Sequence, residues 1–179
     1  MSMEHKAFVL DYEAFKSQLG NLLESALMTG INDKLAQFIG TNITWLKDPY
    51  EGEPLDESWE DIIEVKDTHS YGDFALTKFY NPASDIGLGD DWEEIQDLLN
   101  DVSSDFGTAI LGRPFGPERN YFDPGKMGSY FQTSGEVQQN LSLLKDLGQR
   151  KPEISPALNK AIEMFQQAAE AGKGLYVTF

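Results

Sequence analysis

Residues 133–148, TSGEVQQNLSLLKDLG, carry both halves of a helix N-terminus and one clean apolar stripe. Thr133 and Glu136 stand at capping-box spacing, where each side chain accepts from the other residue's backbone N–H. Val137, Leu141, Leu144 and Leu147 then recur at intervals of three and four, the period of a helix with one buried face, and Gly148 is placed to end it. Downstream, residues 149–154 form a short linker. Ser155 as N-cap and Pro156 at the first helical position open a last helix, with Leu158, Ile162, Phe165 and Ala169 inward. Gly172 and Gly174 release the chain into a terminal strand over 175–179. Helices that end in a strand point to an α+β fold.

Upstream lies a stretch of different character, residues 111–131, LGRPFGPERNYFDPGKMGSYF. Gly112, Pro114, Gly116 and Pro117 punctuate the exit from a buried strand expected over 108–111. Asp123-Pro124-Gly125-Lys126 has the composition of a tight turn, so Tyr121-Phe122 and Tyr130-Phe131 are expected as arms of a hairpin. Two readings stand side by side. In one, the stretch covers the core, its aromatics packed inward and its bases paired with acids. In the other it forms an aromatic-lined pocket, in which Arg113, Arg119 or Lys126 receives a carboxylate or phosphate beside Tyr121 and Tyr130. Those five residues are the ligand-binding candidates.

The remaining chain fills in around these elements. Residues 6–10 read as a short strand. Asp11 is a plausible N-cap for a helix with Phe15, Leu19, Leu22, Leu23, Ala26 and Leu27 on one stripe and Gly30 at its stop. A second helix starts at Asn32, carries Leu35, Phe38, Ile39, Trp45 and Leu46, and is interrupted near Gly40. Residues 48–54 read as an irregular acidic loop, and Trp59, Ile62 and Ile63 as a short helix. The alternation over 74–80 predicts a strand. Residues 90–102 predict a helix, with Trp92, Ile95, Leu98, Leu99 and Val102 inward and Asp91, Glu93, Glu94, Asp97 and Asp101 on the wet side. The expectation is one α+β domain over 1–179, with about five helices and a small, mainly antiparallel sheet.

Charge is distributed unevenly. The net charge is −16, and between Asp48 and Asp105 only Lys66 and Lys78 oppose 18 acids. Elsewhere acids and bases cancel. Such a field repels nucleic acid and anionic lipid, which bind through Lys and Arg. It attracts a basic partner and speeds its approach. The segment is either a solvated face or a partner surface, for which Asp90, Asp91, Glu94 and Asp97 are the candidates. The chain has no cysteine, which removes disulfides and thiolate metal sites and suits a reducing cytoplasm. The start, MSMEHKAFVLDYEAF, has too short an apolar run for a signal peptide, and no stretch approaches a membrane span. Asn42-Ile43-Thr44 and Asn140-Leu141-Ser142 match the glycosylation pattern by chance in a chain without a secretory signal.

Several chemistries are excluded by missing motifs. There is no Gly-x-Ser-x-Gly elbow, P-loop or His-Glu-x-x-His. Residues 85–94 fail the EF-hand pattern, because Gly87 and Gly89 stand where ligands belong and Asp90 where glycine belongs. Of the two histidines, His5 is expected as an exposed bystander. His69, beside Asp67, Ser70 and Asp73, is expected as a hydrogen-bonded surface residue rather than a catalytic one. No catalytic residue, metal or cofactor is assigned.

The order of Trp92, Leu98-Leu99, Ile110-Leu111-Gly112, Pro114, Gly116, Tyr121 and Glu136-Val137 resembles the bacterial YfbM-like family over residues 90–147, departing from it at 123–130. The resemblance implies an α+β fold and a small cytoplasmic bacterial protein, and it carries no catalytic residues with it. The functional expectation is a non-enzymatic interaction protein, of immunity type or an adaptor, that binds a basic macromolecule. The alternative is a small-molecule-binding domain or hydrolase that uses residues 111–131.

Overall fold

The computed structural model describes residues 3–102, 106 and 108–179. Asp105, the last acid of the charged segment, lies outside the described residues. The chain is α+β. Its contacts gather into two compact units that interleave in sequence. The first comprises Met1–Tyr12, Asp85–Arg113 and Tyr130–Phe179, and the second Glu13–Ser84 and Pro114–Ser129.

The first unit is built on strands β1 (Lys6–Leu10), β2 (Ser129–Gln132) and β3 (Gly174–Thr178), in the order β1-β3-β2. β1 and β3 pair antiparallel, Lys6 opposite Thr178 and Leu10 opposite Gly174. The chain's last strand is thus the central one, and all five of its residues are buried. On one face Leu175 and Val177 join the core cluster with the stripes of the two long C-terminal helices. On the other, Phe8, Tyr176 and Phe131 stack across the three strands, with centroids 6.1 and 5.2 Å apart. Each large apolar side chain buried this way contributes roughly 1.5–3 kcal/mol.

The capping box is complete: Thr133 Oγ1 accepts from Glu136 N, and Glu136 Oε1 accepts from Thr133 N. Helix α6 runs from Ser134 to Arg150. It therefore passes through Gly148, expected as its stop, because Leu147 is still core and its carbonyl holds Lys151 N. Helix α7 (Ser155–Glu170) starts one residue earlier than expected, with Ile154 in the N-cap position and Ser155 already helical. Helix α5 (Trp92–Val102) buries Ile95 and Leu99 and turns its acids to water.

In the second unit, an irregular rod runs as α1 (Tyr12–Phe15), a π turn (Lys16–Gly20) and α2 (Asn21–Thr29). Gly30, at φ 73°, adopts the left-handed conformation that closes it. Helix α3 (Asp33–Thr41) follows, then short 3₁₀ turns at Ile43–Trp45 and Trp59–Ile62 and helix α4 (Thr68–Leu76). Helices α2, α3 and α4 pack on one another. Helix α3 continues through Gly40 but does not reach Trp45, which is 70% exposed.

Further expectations are corrected. The strand read over 74–80 is instead the end of α4 and the turn after it. Every residue from Tyr71 to Thr77 is buried, so no single-sided pattern marks the helix. With α4 added, there are six helical rods among the described residues, in keeping with the expected α+β class of about five helices and a small sheet. Residues 108–111 are turns rather than a strand. Leu111 N and Gly112 N both return to Thr108 O, while Gln132 Nε2 takes Ala109 O at 2.9 Å. The expected hairpin is absent: Phe131 bridges Arg113, and Phe122 N bonds to Phe115 O.

His5 is fully buried rather than exposed. Its Nδ1 accepts from Leu88 N at 3.1 Å, which leaves the proton on Nε2 to donate to Ile110 O at 3.0 Å. Burial holds this imidazole below its usual pKa. The Ile110 carbonyl and Asp85 act in the opposite direction.

Candidate functional site

Helix α4 begins where Asp67 accepts from Ser70 N at 2.9 Å. That start fixes the phase, and His69, Gly72 and Asp73 fall on one stripe. Each receives one part of the loop 114–129. His69 Nδ1 accepts from Asp123 N at 3.0 Å, so its Nε2 carries the proton toward Asn120 Oδ1 at 2.9 Å. Asn120 in turn donates to Leu27 O at 2.9 Å. Phe122 is buried and stacks on His69, with centroids 6.3 Å apart. It closes against Gly72, where a Cβ would lie 2.8 Å from both Phe122 Cε2 and Leu23 Cδ1. Lys126 Nζ reaches Asp73 Oδ1 at 3.0 Å. The glycine- and proline-rich loop is thus fastened along α4.

Beside this stripe opens a cavity of about 420 Å³, within the range of ligand pockets. Ile62, Ile63, Val65, Phe74 and Pro124 form apolar walls, and Asp48, Tyr50, Glu64, Ser70 and Asp73 supply the polar groups. The Tyr50 ring lies over the ion pair, its centroid 5.0 Å from Lys126 Nζ. Burial pushes the Asp73 carboxyl above its ordinary range, while Lys126 and the Tyr50 hydroxyl pull it back. The Tyr50 phenol is pushed up to about 12, by burial first and then by Asp73 and Asp48. Because Tyr50 as a whole is 66% exposed, this shift belongs to its hydroxyl end, which bonds to Asp73, and not to the solvated ring.

Ser70 lies in the cavity, but neighbouring His69 has both ring nitrogens engaged and is not free to serve it as a base. Among the described residues no group of three or more His, Cys, Asp or Glu could hold a metal ion. No helix among them is long and apolar enough to cross a membrane.

The residues singled out from the sequence fall in both units. Arg113 and Tyr130 belong to the first. Arg113 is largely exposed with Nε 3.3 Å from Glu136 Oε2, and Tyr130 packs at the edge of the core cluster. Arg119, Tyr121 and Lys126 belong to the second. Arg119 is exposed with no ion pair among the described residues, Tyr121 is 41% exposed, and Lys126 is half-buried beneath the Tyr50 ring, its side chain 12% exposed. Asp90, Asp91, Glu94 and Asp97 lie in the first unit, at or just before α5, all exposed. Asp91 pairs with Lys160 at 3.0 Å.

Sequence reasoning did not single out Tyr50, Asp48 and Glu64 as parts of a site, and it weighed Asp73 only as a neighbour of His69. One signal was present: Asp73 is the lone charge in the run YGDFAL, and an acid in such a run is buried only where a partner awaits it. Comparison with family models, curated proteins and solved structures found no match for this chain.

Proposed function

We propose that the chain is a non-enzymatic interaction protein, an immunity-type inhibitor or an adaptor, that binds a basic macromolecule through acidic surface on its second unit. The observation that carries this reading is the composition of residues 50–67. Glu51, Glu53, Glu60, Asp61, Glu64 and Asp67 are all exposed there, and none has an ion pair among the described residues. Interleaved with them, Tyr50, Ile62 and Val65 are 66%, 51% and 62% exposed. Aromatic and aliphatic anchors within a charged rim are the anatomy of a protein interface rather than of a merely solvated face.

The second unit also holds eight of the nine large exposed apolar residues among those described, Leu143 being the exception. Its acidic loop is one part of the charged segment, and the other part lies on α5 of the first unit. The surface charge opposes nucleic acid and anionic lipid. The cytoplasmic and bacterial setting implied by the family resemblance is kept as part of the proposal.

The test is affinity capture with the wild-type chain and with a Glu60→Gln/Asp61→Asn/Glu64→Gln variant, at low and moderate salt. A basic partner retained by the wild type, weakened by salt and lost from the variant supports the reading. The same proteins retained by both chains would overturn it.

The cavity favours a second reading, a small-molecule site, since loop 114–129 contributes Pro124 to its wall and Lys126 to its ion pair. A thermal-shift screen of metabolites separates the two, because a ligand that binds only the native state raises Tm.

A further inference from the structure

Resting on the interaction reading, we propose that the cavity beside α4 is a receptor for one cationic side chain of the basic partner, an ammonium or guanidinium on an alkyl stem. Asp48, Glu64 and Asp73 all line the cavity, and of the three only Asp73 has a basic partner among the described residues, Lys126. Asp48 holds the backbone N–H groups of Tyr50 and Glu51 at 2.8 and 3.2 Å through one oxygen, and neither it nor Glu64 has a basic partner among the described residues. With Lys126 neutralising Asp73, Asp48 and Glu64 leave the cavity an excess of negative charge that one incoming cation would halve.

The walls select the rest of the ligand. Ile62, Ile63, Val65 and Phe74 offer apolar surface suited to methylene groups, and Lys and Arg bury their stems in this way while the head stays polar. A bare metal ion gains nothing from such walls, and an anion is opposed by the carboxylates. Ile62 and Val65 are themselves more than half exposed, so a side chain entering here would also cover the apolar part of the interface. The fastening of loop 114–129 to α4 holds Pro124, one wall, in place before binding, which lowers the ordering cost of association.

Backbone NMR titration of the full chain tests this with three probes: N-acetyl-arginine amide, its neutral isostere N-acetyl-citrulline amide, and free arginine. The expected result is a saturable shift of the Ile62, Val65 and Ser70 amides with the capped arginine, at an affinity roughly tenfold above the citrulline compound, equivalent to about 1.4 kcal/mol. The Asp48→Asn/Glu64→Gln variant keeps the backbone acceptor at position 48 and should lose most of that preference with little change in Tm. Equal binding of citrulline overturns the proposal, as do shifts spread over every acidic surface, the mark of a counter-ion. Free arginine binding as tightly as the capped form would assign the cavity to a metabolite rather than a partner's side chain. If the cavity variant still captures the basic partner while the Glu60/Asp61/Glu64 variant does not, the cavity assignment fails and the interaction reading survives.

Discussion

Lys126 Nζ lies 3.0 Å from Asp73 Oδ1, and the two side chains are 12% and 2% exposed. A pair this deep is costly to break, because removing one member strands the other charge away from water. Lys126→Met should therefore cost roughly 3–5 kcal/mol, and the double variant Lys126→Met/Asp73→Leu clearly less. The pH dependence follows from burial, which already raises the Asp73 pKa above its unfolded value. An acid raised on folding is best tolerated below its unfolded pKa, and stability falls as pH rises through its folded pKa. Without Lys126 the folded pKa rises further, so the deficit of Lys126→Met should grow from acid to neutral pH. Urea unfolding of both variants across that range checks this.

Tyr121 and Phe122 are neighbours with opposite fates. Tyr121 is 41% exposed and Phe122 only 1%. Tyr121→Ala should cost about 0.5 kcal/mol or less, and Phe122→Ala roughly 3–5 kcal/mol. Gly72→Ala should behave like a milder Phe122 variant, losing roughly 1–3 kcal/mol by overpacking, since its Cβ would meet Phe122 and Leu23 at 2.8 Å. Better helix propensity returns only about 1 kcal/mol. Denaturant midpoints of the three variants give the order directly.

His5 makes the first unit sensitive to mild acid. Its folded pKa is lowered by burial from the ordinary 6.5, so below that value the unfolded chain takes up the proton first. Stability is fully present above about pH 6.5 and declines as pH falls toward the folded pKa, by up to roughly 1.4 kcal/mol per pH unit. Protonation would also turn Nδ1 into a donor facing the Leu88 N–H. In His5→Gln this component should vanish, leaving a flatter Tm profile between about pH 5 and 7.5. Melting curves of both proteins over that interval decide it.

Exposed acids without basic partners repel one another, and salt screens them over about 10 Å at 0.1 M. Added sodium chloride up to about 0.5 M should raise Tm. The Glu60→Gln/Asp61→Asn/Glu64→Gln variant should start higher and gain less. A Tm indifferent to salt would show that the acids are already compensated.

What could be read locally in the sequence depended on chemistry completed over a few residues. The Thr133–Glu136 box, the apolar stripes of α5, α6 and α7 and the residues of β1 and β3 each declare themselves in this way, because one face of each helix meets water and, for α7, Pro156 and Gly172 mark the two ends. The class followed from them. Helix α4 did not declare itself, since burial all round erases the contrast on which any period depends, and Gly72 resembles a breaker until Leu23 and Phe122 are seen closing on it. His5 became a buried bridge only through Leu88 and Ile110, 83 and 105 positions away. The ion pair of Asp73 with Lys126 spans 53 positions, and the cavity joins Asp48 to Pro124. Such groups are assembled by tertiary packing, which decides which polar side chain loses water and which distant one must replace it.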